Sequence, residues 1–174
     1  MKKYLYLDLL FKEEDLGKMT SGGLSAHINF MEIALQEARR SADRGEVPVG
    51  CVIVDWRSKT IVASEGNRVE EWKDPTAHAE MVAIKSATEI IREKRLGTCD
   101  LYVNLEPCPM CAAAISFARI RRLYFGALDH KSGGVENGAR IFDQKTCHHR
   151  PEVYGGIREV DAAKLLKSFF AKRR

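Results

Sequence analysis

Two short stretches, DPTAHAE at residues 74–80 and PCPMC at residues 107–111, set the architecture of this 174-residue chain. They supply His78, Cys108 and Cys111, and imidazole and thiolate groups are common zinc ligands. Structural zinc sites normally use four protein ligands, whereas catalytic sites use three and leave the fourth position to water. The two stretches therefore predict a zinc centre that activates water.

Glu80 stands two residues after the predicted ligand His78. A zinc ion held by one neutral imidazole and two thiolates keeps enough positive charge to bring the pKa of a bound water towards neutrality. The resulting hydroxide is a nucleophile, and a hydrolytic reaction then needs a mobile proton carrier. We predict that Glu80 is this catalytic carrier and is not a metal ligand.

The spacing of apolar residues predicts which elements carry these side chains. Residues 76–91 place Met81, Ile84, Ala87, Thr88 and Ile91 at helical intervals, which predicts a helix with His78 and Glu80 in its first turn. Residues 100–106 (DLYVNLE) predict a strand, and residues 109–120 predict a second helix that begins at the cysteine pair. Helix N-termini favour thiolates, so two such termini facing each other would form the pocket.

The remaining pattern alternates helices with strands and predicts an α/β fold with helices on both faces of one sheet. A helix is expected at residues 30–44, with Met31, Ala34, Leu35 and Ala38 buried. A hairpin at 49–56 and 60–64, strands at 122–128 and 152–156, and a last helix at 160–174 complete the set. Residues 130–150 are expected to form a long polar loop bordering the pocket.

Composition limits the class of protein. Hydrophobic residues make up 45% and charged residues 30%, as in an ordinary globular protein of one domain. The five cysteines are odd in number and show no disulfide framework, which favours a reducing cytoplasm. No stretch is long and apolar enough to cross a membrane. A net charge of +4 only mildly favours nucleic acid as a partner.

The pattern H-x-E…P-C-x-x-C is the signature of the zinc nucleobase deaminases. From about residue 30 to residue 174 the chain resembles the bacterial tRNA-specific adenosine deaminases. The resemblance rests on DPTAHAE and EPCPMC, which other base deaminases share, and on two more discriminating stretches, GEVPVG at residues 45–50 and SFFAKRR at residues 168–174. The second of these combines aromatic and basic residues, as RNA-binding surfaces do.

The resemblance implies a cytidine deaminase-like three-layer sandwich, with a mixed five-stranded sheet between helices, one zinc ion per chain and a homodimer. It implies hydrolysis of the wobble adenosine of a tRNA anticodon, in an arginine tRNA, to inosine. The implied zinc ligands are His78, Cys108 and Cys111, with Glu80 as proton carrier. The implied substrate contacts are Asn67 with the purine or its sugar, Val47 and Ala79 in the base pocket, Asp129 at the loop that meets flanking nucleotides, and Phe170 and Arg173 at the C-terminal end.

By the same resemblance, residues 25–174 form the deaminase domain, and residues 1–24 form an N-terminal extension that we interpret as a candidate for disorder. Cys147, His148 and His149 lack a suitably spaced fourth partner, so no second metal site is expected.

Two alternatives to tRNA deamination stay open. One is a deaminase of free bases or nucleosides, of the guanine or cytosine type. The other is a non-catalytic RNA-binding module that zinc stabilises. The second predicts that Glu80→Ala leaves biological activity intact, because Glu80 does not hold the metal.

Overall fold

The computed structural model describes residues 23–173, with side chains from residue 29 onward. The predicted extension at 1–24 therefore falls almost wholly outside the described residues, and the domain boundary stays a prediction. The elements, in chain order, are α1 (Gly23–Asp43), β1 (Gly50–Asp55), β2 (Ile61–Gly66), α2 (Val69–Trp72), α3 (Ala79–Ile91), β3 (Cys99–Leu105), α4 (Pro109–Ala118), β4 (Arg122–Ala127), a 3-10 helix (Ile141–Asp143), β5 (Glu152–Tyr154) and α5 (Glu159–Ala171).

The five strands form one mixed sheet in the order β2-β1-β3-β4-β5. Strand β1 pairs antiparallel with β2, as the predicted hairpin requires, and antiparallel with β3. Strands β3 and β4 are parallel, as are β4 and β5. After the carboxyl end of β3, the chain passes through Glu106 and Pro107 to the cysteine pair at the start of α4.

Helices cover both faces of the sheet, which confirms the three-layer prediction. Alternate residues of a strand point to opposite faces, and in β1 Cys51 and Ile53 pack towards α3 and α4 whereas Val52 and Val54 pack towards α1. On the second face α5 contributes Ala162. Because helices cover both faces, every residue of β1 and β3 is buried except the last residue of each strand, which is partly buried.

Asn104, near the end of β3, fastens the start of β1. Its side chain is fully buried. Its Oδ1 accepts a hydrogen bond from the backbone N–H of Gly50 at 2.8 Å, and its Nδ2 donates to the carbonyl of Pro48 at 2.9 Å. Helix α1 lies close above the same point, since a Cβ built on Gly50 would lie 2.2 Å from the Ala34 carbonyl oxygen. The strand that follows Val47 is thus held from two sides.

The boundaries of several elements differ from the sequence predictions. Helix α1 begins seven residues before the predicted start at residue 30, and α3 begins at Ala79 and not at residue 76. The single-turn helix α2 was not predicted, because four residues carry too little periodicity to register.

The predicted apolar face of α3 is only partly correct. Ala87 is buried as expected, but Met81 and Ile84 are only partly buried. Val82 and Ala83 are buried in their place, because the face packed on β1 and β2 is rotated towards the small residues. Among residues 23–173, no helix combines the length and the apolarity needed to cross a membrane.

Candidate metal centre and its surroundings

The three predicted ligands converge. The Nδ1 atom of His78 lies 3.7 Å from the Sγ of Cys108 and 3.5 Å from the Sγ of Cys111. A tetrahedral zinc ion with Zn–N near 2.05 Å and Zn–S near 2.3 Å separates its nitrogen and sulfur ligands by about 3.6 Å. These are the only three His, Cys, Asp or Glu side chains in the described part of the chain that cluster as a potential metal site. The donor set fits a zinc ion with one open position.

Helix starts position the ligands. His78 is the N-cap residue of α3 and Cys108 is the N-cap residue of α4, both with extended backbone. Pro109 occupies the first turn of α4, where its lack of an N–H costs nothing, and Cys111 lies in the same turn. His78 therefore precedes the first turn in which it was predicted to lie, while Glu80 is within that turn.

The pKa values of the two thiols at this site are shifted in opposite directions. The hydrogen bond from the Cys111 thiol and the contact with His78 lower the pKa of Cys108 to about 4, although its partial burial opposes this. The same hydrogen bond, together with burial, raises the pKa of Cys111. One thiolate and one thiol share a site next to an imidazole, and a bound cation would favour both thiolates.

Glu80 lies beside this cluster without belonging to it. Its side chain is 4% exposed. Burial raises the pKa of its carboxyl, while its own backbone N–H and the nearby His78 oppose that shift. A buried carboxylate two residues after the ligand His78, with its pKa raised above the usual range, suits proton transfer.

Asn67 connects the end of β2 to the metal-site helix. Its side chain is 6% exposed, and its Oδ1 accepts a hydrogen bond from the backbone N–H of Ala79 at 3.0 Å. This bond leaves the amide Nδ2 as the group that can donate to a ligand. Ala79 itself is fully buried at the first position of α3, next to His78.

The C-terminal end of α5 reaches the segment that precedes β1. The Arg173 guanidinium donates to the carbonyl of Gly45, two residues before the half-buried Val47, and stacks over the Phe169 ring at 4.2 Å. Phe170 is 49% exposed and meets Phe169 edge-on. The structure thus places Arg173 against Gly45, in the segment that contains Val47, while Phe170 is about half exposed.

Glu106 is a buried carboxylate that the sequence analysis assigned no role. It is 2% exposed and lies directly after β3, immediately before Pro107 and Cys108. Burial alone would raise its pKa, but hydrogen bonds from Asn137, Asp129 and Glu136 outweigh burial and lower the pKa. An acidic residue that ends an apolar strand next to a ligand was the available signal, since a buried carboxylate requires donors.

Asp129 begins the loop that these donors come from. Its Oδ1 accepts the backbone N–H groups of Lys131 and Ser132, and its own N–H donates to Glu106. The predicted loop at residues 130–150 is therefore an ordered turn at its start, and a 3-10 helix interrupts it.

The Cys147 and His149 pair is structural. The thiol of Cys147 donates to the carbonyl of His149, and the His149 Nε2 atom lies 2.6 Å from the carbonyl oxygen of Ile120. The hydroxyl of Ser116 donates to the same His149 carbonyl at 2.8 Å. These contacts pin the end of the loop to α4.

Comparison with known proteins identifies relatives that cover most of the chain. The family model for the cytidine and deoxycytidylate deaminase zinc-binding region matches residues 24–127. A tRNA-specific adenosine deaminase from Agrobacterium fabrum is 53% identical over 87% of this chain and 98% of its own length.

Two solved structures extend the comparison. One, from studies of A-to-I editing by tRNA:A34 deaminases at the wobble position of transfer RNA, has 55% sequence identity and a TM-score of 0.77 over 79% of this chain and 99% of that chain. A guanine deaminase from Bacillus subtilis has 32% identity and a TM-score of 0.57 over 84% of this chain and 93% of that chain.

Proposed function

Because this chain belongs to the cytidine and deoxycytidylate deaminase zinc-binding family, within its tRNA-specific adenosine deaminase branch, we propose that it converts the wobble adenosine of a tRNA anticodon to inosine. We further propose an arginine tRNA as the substrate. The observation that carries the reaction is the three-ligand cluster of His78, Cys108 and Cys111 beside a buried Glu80 that is not one of its members. Greater similarity to the tRNA enzymes than to the guanine deaminase favours RNA over a free base.

His78, Cys108 and Cys111 would hold the zinc ion, which when bound polarises a water and lowers its pKa so that it can attack the amidine carbon. Hydrolytic deamination adds water to C6 of adenine and releases ammonia, so protons must reach a ring nitrogen and the leaving amine. Glu80 would take one proton from the water and deliver it to N1, which keeps it in inosine. It would then carry the second proton, from the hydroxyl added at C6, to the amino group, which leaves as ammonia. Its burial beside the ligands keeps this proton within reach of the reacting carbon.

The surroundings suit an extruded purine nucleoside. Asn67, with its Oδ1 committed to Ala79, offers its Nδ2 to an acceptor on the purine or its sugar. Val47 and Ala79 give the base an apolar wall. Bases in an anticodon loop are unpaired, so placing one in a pocket costs less than it would in a duplex.

Basic and aromatic residues outside the pocket would hold the rest of the loop. We assign Arg173 and Phe170 to phosphate and base contacts and Asp129 to the flanking nucleotides. Phosphate contacts position an RNA without choosing its sequence, so sequence choice must come from the pocket and its rim.

We also propose a homodimer in the cytoplasm. Phe117 on α4 is 72% exposed and Ile90 on α3 is 55% exposed, and apolar side chains of this size at a surface are suited to a second copy. The free cysteines suit a reducing compartment. Sedimentation of a monomer at micromolar concentration would contradict the dimer.

The deciding experiment incubates the zinc-loaded protein with an arginine tRNA transcript and measures tRNA nucleosides by mass spectrometry. We expect inosine at the wobble position. No inosine with zinc bound would overturn the proposal, and faster ammonia release from guanine or cytidine would favour a free-base deaminase.

Glu80→Ala separates catalysis from RNA binding. The variant should retain zinc and bind the tRNA but lose about 10²–10⁴-fold in turnover, the usual contribution of a positioned proton carrier. Glu89→Ala, on the exposed side of the same helix, is the matched control and should be fully active. Full activity of Glu80→Ala would instead support the non-catalytic RNA-binding module.

A further inference from the structure

Glu106 sits between the metal site and the loop that starts at Asp129. Only Pro107 separates it from Cys108, yet it is absent from the cluster of potential ligands. Among the described residues no lysine or arginine forms an ion pair with it, so its buried charge is balanced in another way.

Five N–H donors from one loop provide that balance. Oε1 accepts the backbone N–H groups of Val135 at 3.2 Å, Glu136 at 2.8 Å and Asn137 at 2.8 Å. Oε2 accepts the backbone N–H of Asp129 at 3.0 Å and the Asn137 side chain at 2.7 Å. Both ends of segment 129–137 are thereby tied to a single carboxylate.

The middle of the segment lies against the backbone of the ligand turn. The N–H of Gly134 donates to the carbonyl of Pro107 at 2.8 Å, and a Cβ on Gly134 would lie 2.5 Å from the Pro109 nitrogen. A Cβ on Gly133 would lie 2.6 Å from the Glu106 Oε1. Segment 129–137 comes so close to the ligand turn and to Glu106 that neither glycine has room for a side chain.

We propose that Glu106 is a positioning residue that holds segment 129–137 as a fixed wall beside the metal centre, and so sets the affinity for the nucleotides that flank the reacting base. This inference rests on the proposed function, since it deepens the account of RNA binding at the same site. Glu106 neither holds the metal nor transfers a proton. It acts through the backbone of the segment that Asp129 begins.

The chemistry of a carboxylate is required here. Each oxygen accepts two or three donors, and a neutral amide would present its own N–H₂ group to at least two of them whichever way it is turned. Glu106→Gln has nearly the same volume as the native residue, so it leaves the packing in place and removes the arrangement of acceptors. The segment should then open while the metal ligands, held by α3 and α4, stay in position.

The test combines three measurements on Glu106→Gln: zinc content, hydrogen exchange across residues 129–137, and steady-state kinetics on an anticodon stem-loop RNA. We expect about one zinc per chain, faster exchange in the segment, and a loss of at least about tenfold in kcat/KM, carried mainly by KM. A variant that is merely less stable would lose zinc and kcat together. Unchanged exchange and unchanged KM would overturn the proposal.

Two controls make the result specific. Glu37→Gln neutralises another buried carboxylate, on α1, which bonds to Arg40 and Ser64 and has no link to the segment; its KM should equal that of the wild type. Gly133→Ala pushes a methyl group against Glu106 and should reproduce the rise in KM, while Gly97→Ala, whose nearest neighbour is 3.9 Å away, should not.

Gly133→Ala also keeps the test decisive if Glu106→Gln does not fold, because a normal KM in Gly133→Ala would overturn the proposal by itself. Failure of the wild type to deaminate the RNA would instead refute the proposed function. Hydrogen exchange would still report whether Glu106 holds the segment.

Discussion

Replacing Asn104 with alanine should destabilise the fold by several kcal/mol. The buried amide satisfies the N–H of Gly50 and the carbonyl of Pro48, and alanine satisfies neither. A buried backbone group left without a partner costs about 1–3 kcal/mol, so two such groups give about 2–6 kcal/mol. Against a typical total of about 5–15 kcal/mol, this is a large fraction of the free energy of unfolding.

Urea unfolding of the zinc-loaded protein, at one fixed protein concentration, measures this change for Asn104→Ala. The control is Gln144→Ala, which removes an exposed amide that donates to the Ala139 carbonyl at 2.8 Å and should stay within about 0.5 kcal/mol of the wild type. A loss below about 1 kcal/mol for Asn104→Ala would refute the reasoning, because it would mean that water reaches the start of β1 and replaces the amide.

Two further predictions concern the thiols and the metal. Burial raises the pKa of Cys99 to about 11, so its thiolate fraction at pH 8 is only about one in a thousand and should grow as the pH rises towards 11. Mass spectrometry after iodoacetamide treatment of the zinc-loaded protein should therefore find Cys99 unmodified at pH 8. Rapid labelling of Cys99 at this pH would contradict its burial. Removal of zinc with a chelator should abolish turnover and lower the midpoint of thermal unfolding, since zinc at about 1,000 times its dissociation constant stabilises the fold by about 4 kcal/mol. Added zinc should restore the turnover and the midpoint. An unchanged midpoint would show that the ligand cluster does not hold the metal.

The sequence predicted the metal site well because its residue types leave little choice. A histidine and two cysteines at helix starts, with a nearby glutamate, already specify zinc chemistry, and the structure brings the three ligands together as expected. The face of α1 was equally clear, with Met31, Ala34, Leu35 and Ala38 all fully buried. Strong hydrophobic periodicity and unusual combinations of residue types can be interpreted without knowledge of tertiary contacts.

What the sequence could not supply was contact between distant segments. The five donors to Glu106 are backbone and amide groups that no residue pattern marks, and the bonds of Asn104 span more than fifty positions. The face of α3 was misjudged for the same reason, since Val82 and Ala83 are buried by the sheet they meet and not by their own hydrophobicity. Such features depend on register and packing, which local propensity does not encode.

The loop wall held by Glu106 lies well downstream of the ligands it covers. During synthesis from the N-terminus at about 5–20 residues per second, His78, Cys108 and Cys111 all emerge before any residue of segment 129–137. The complete set of ligands is therefore synthesised about one to five seconds before the segment beside it. A metal ion can therefore meet all three ligands before the wall beside them exists.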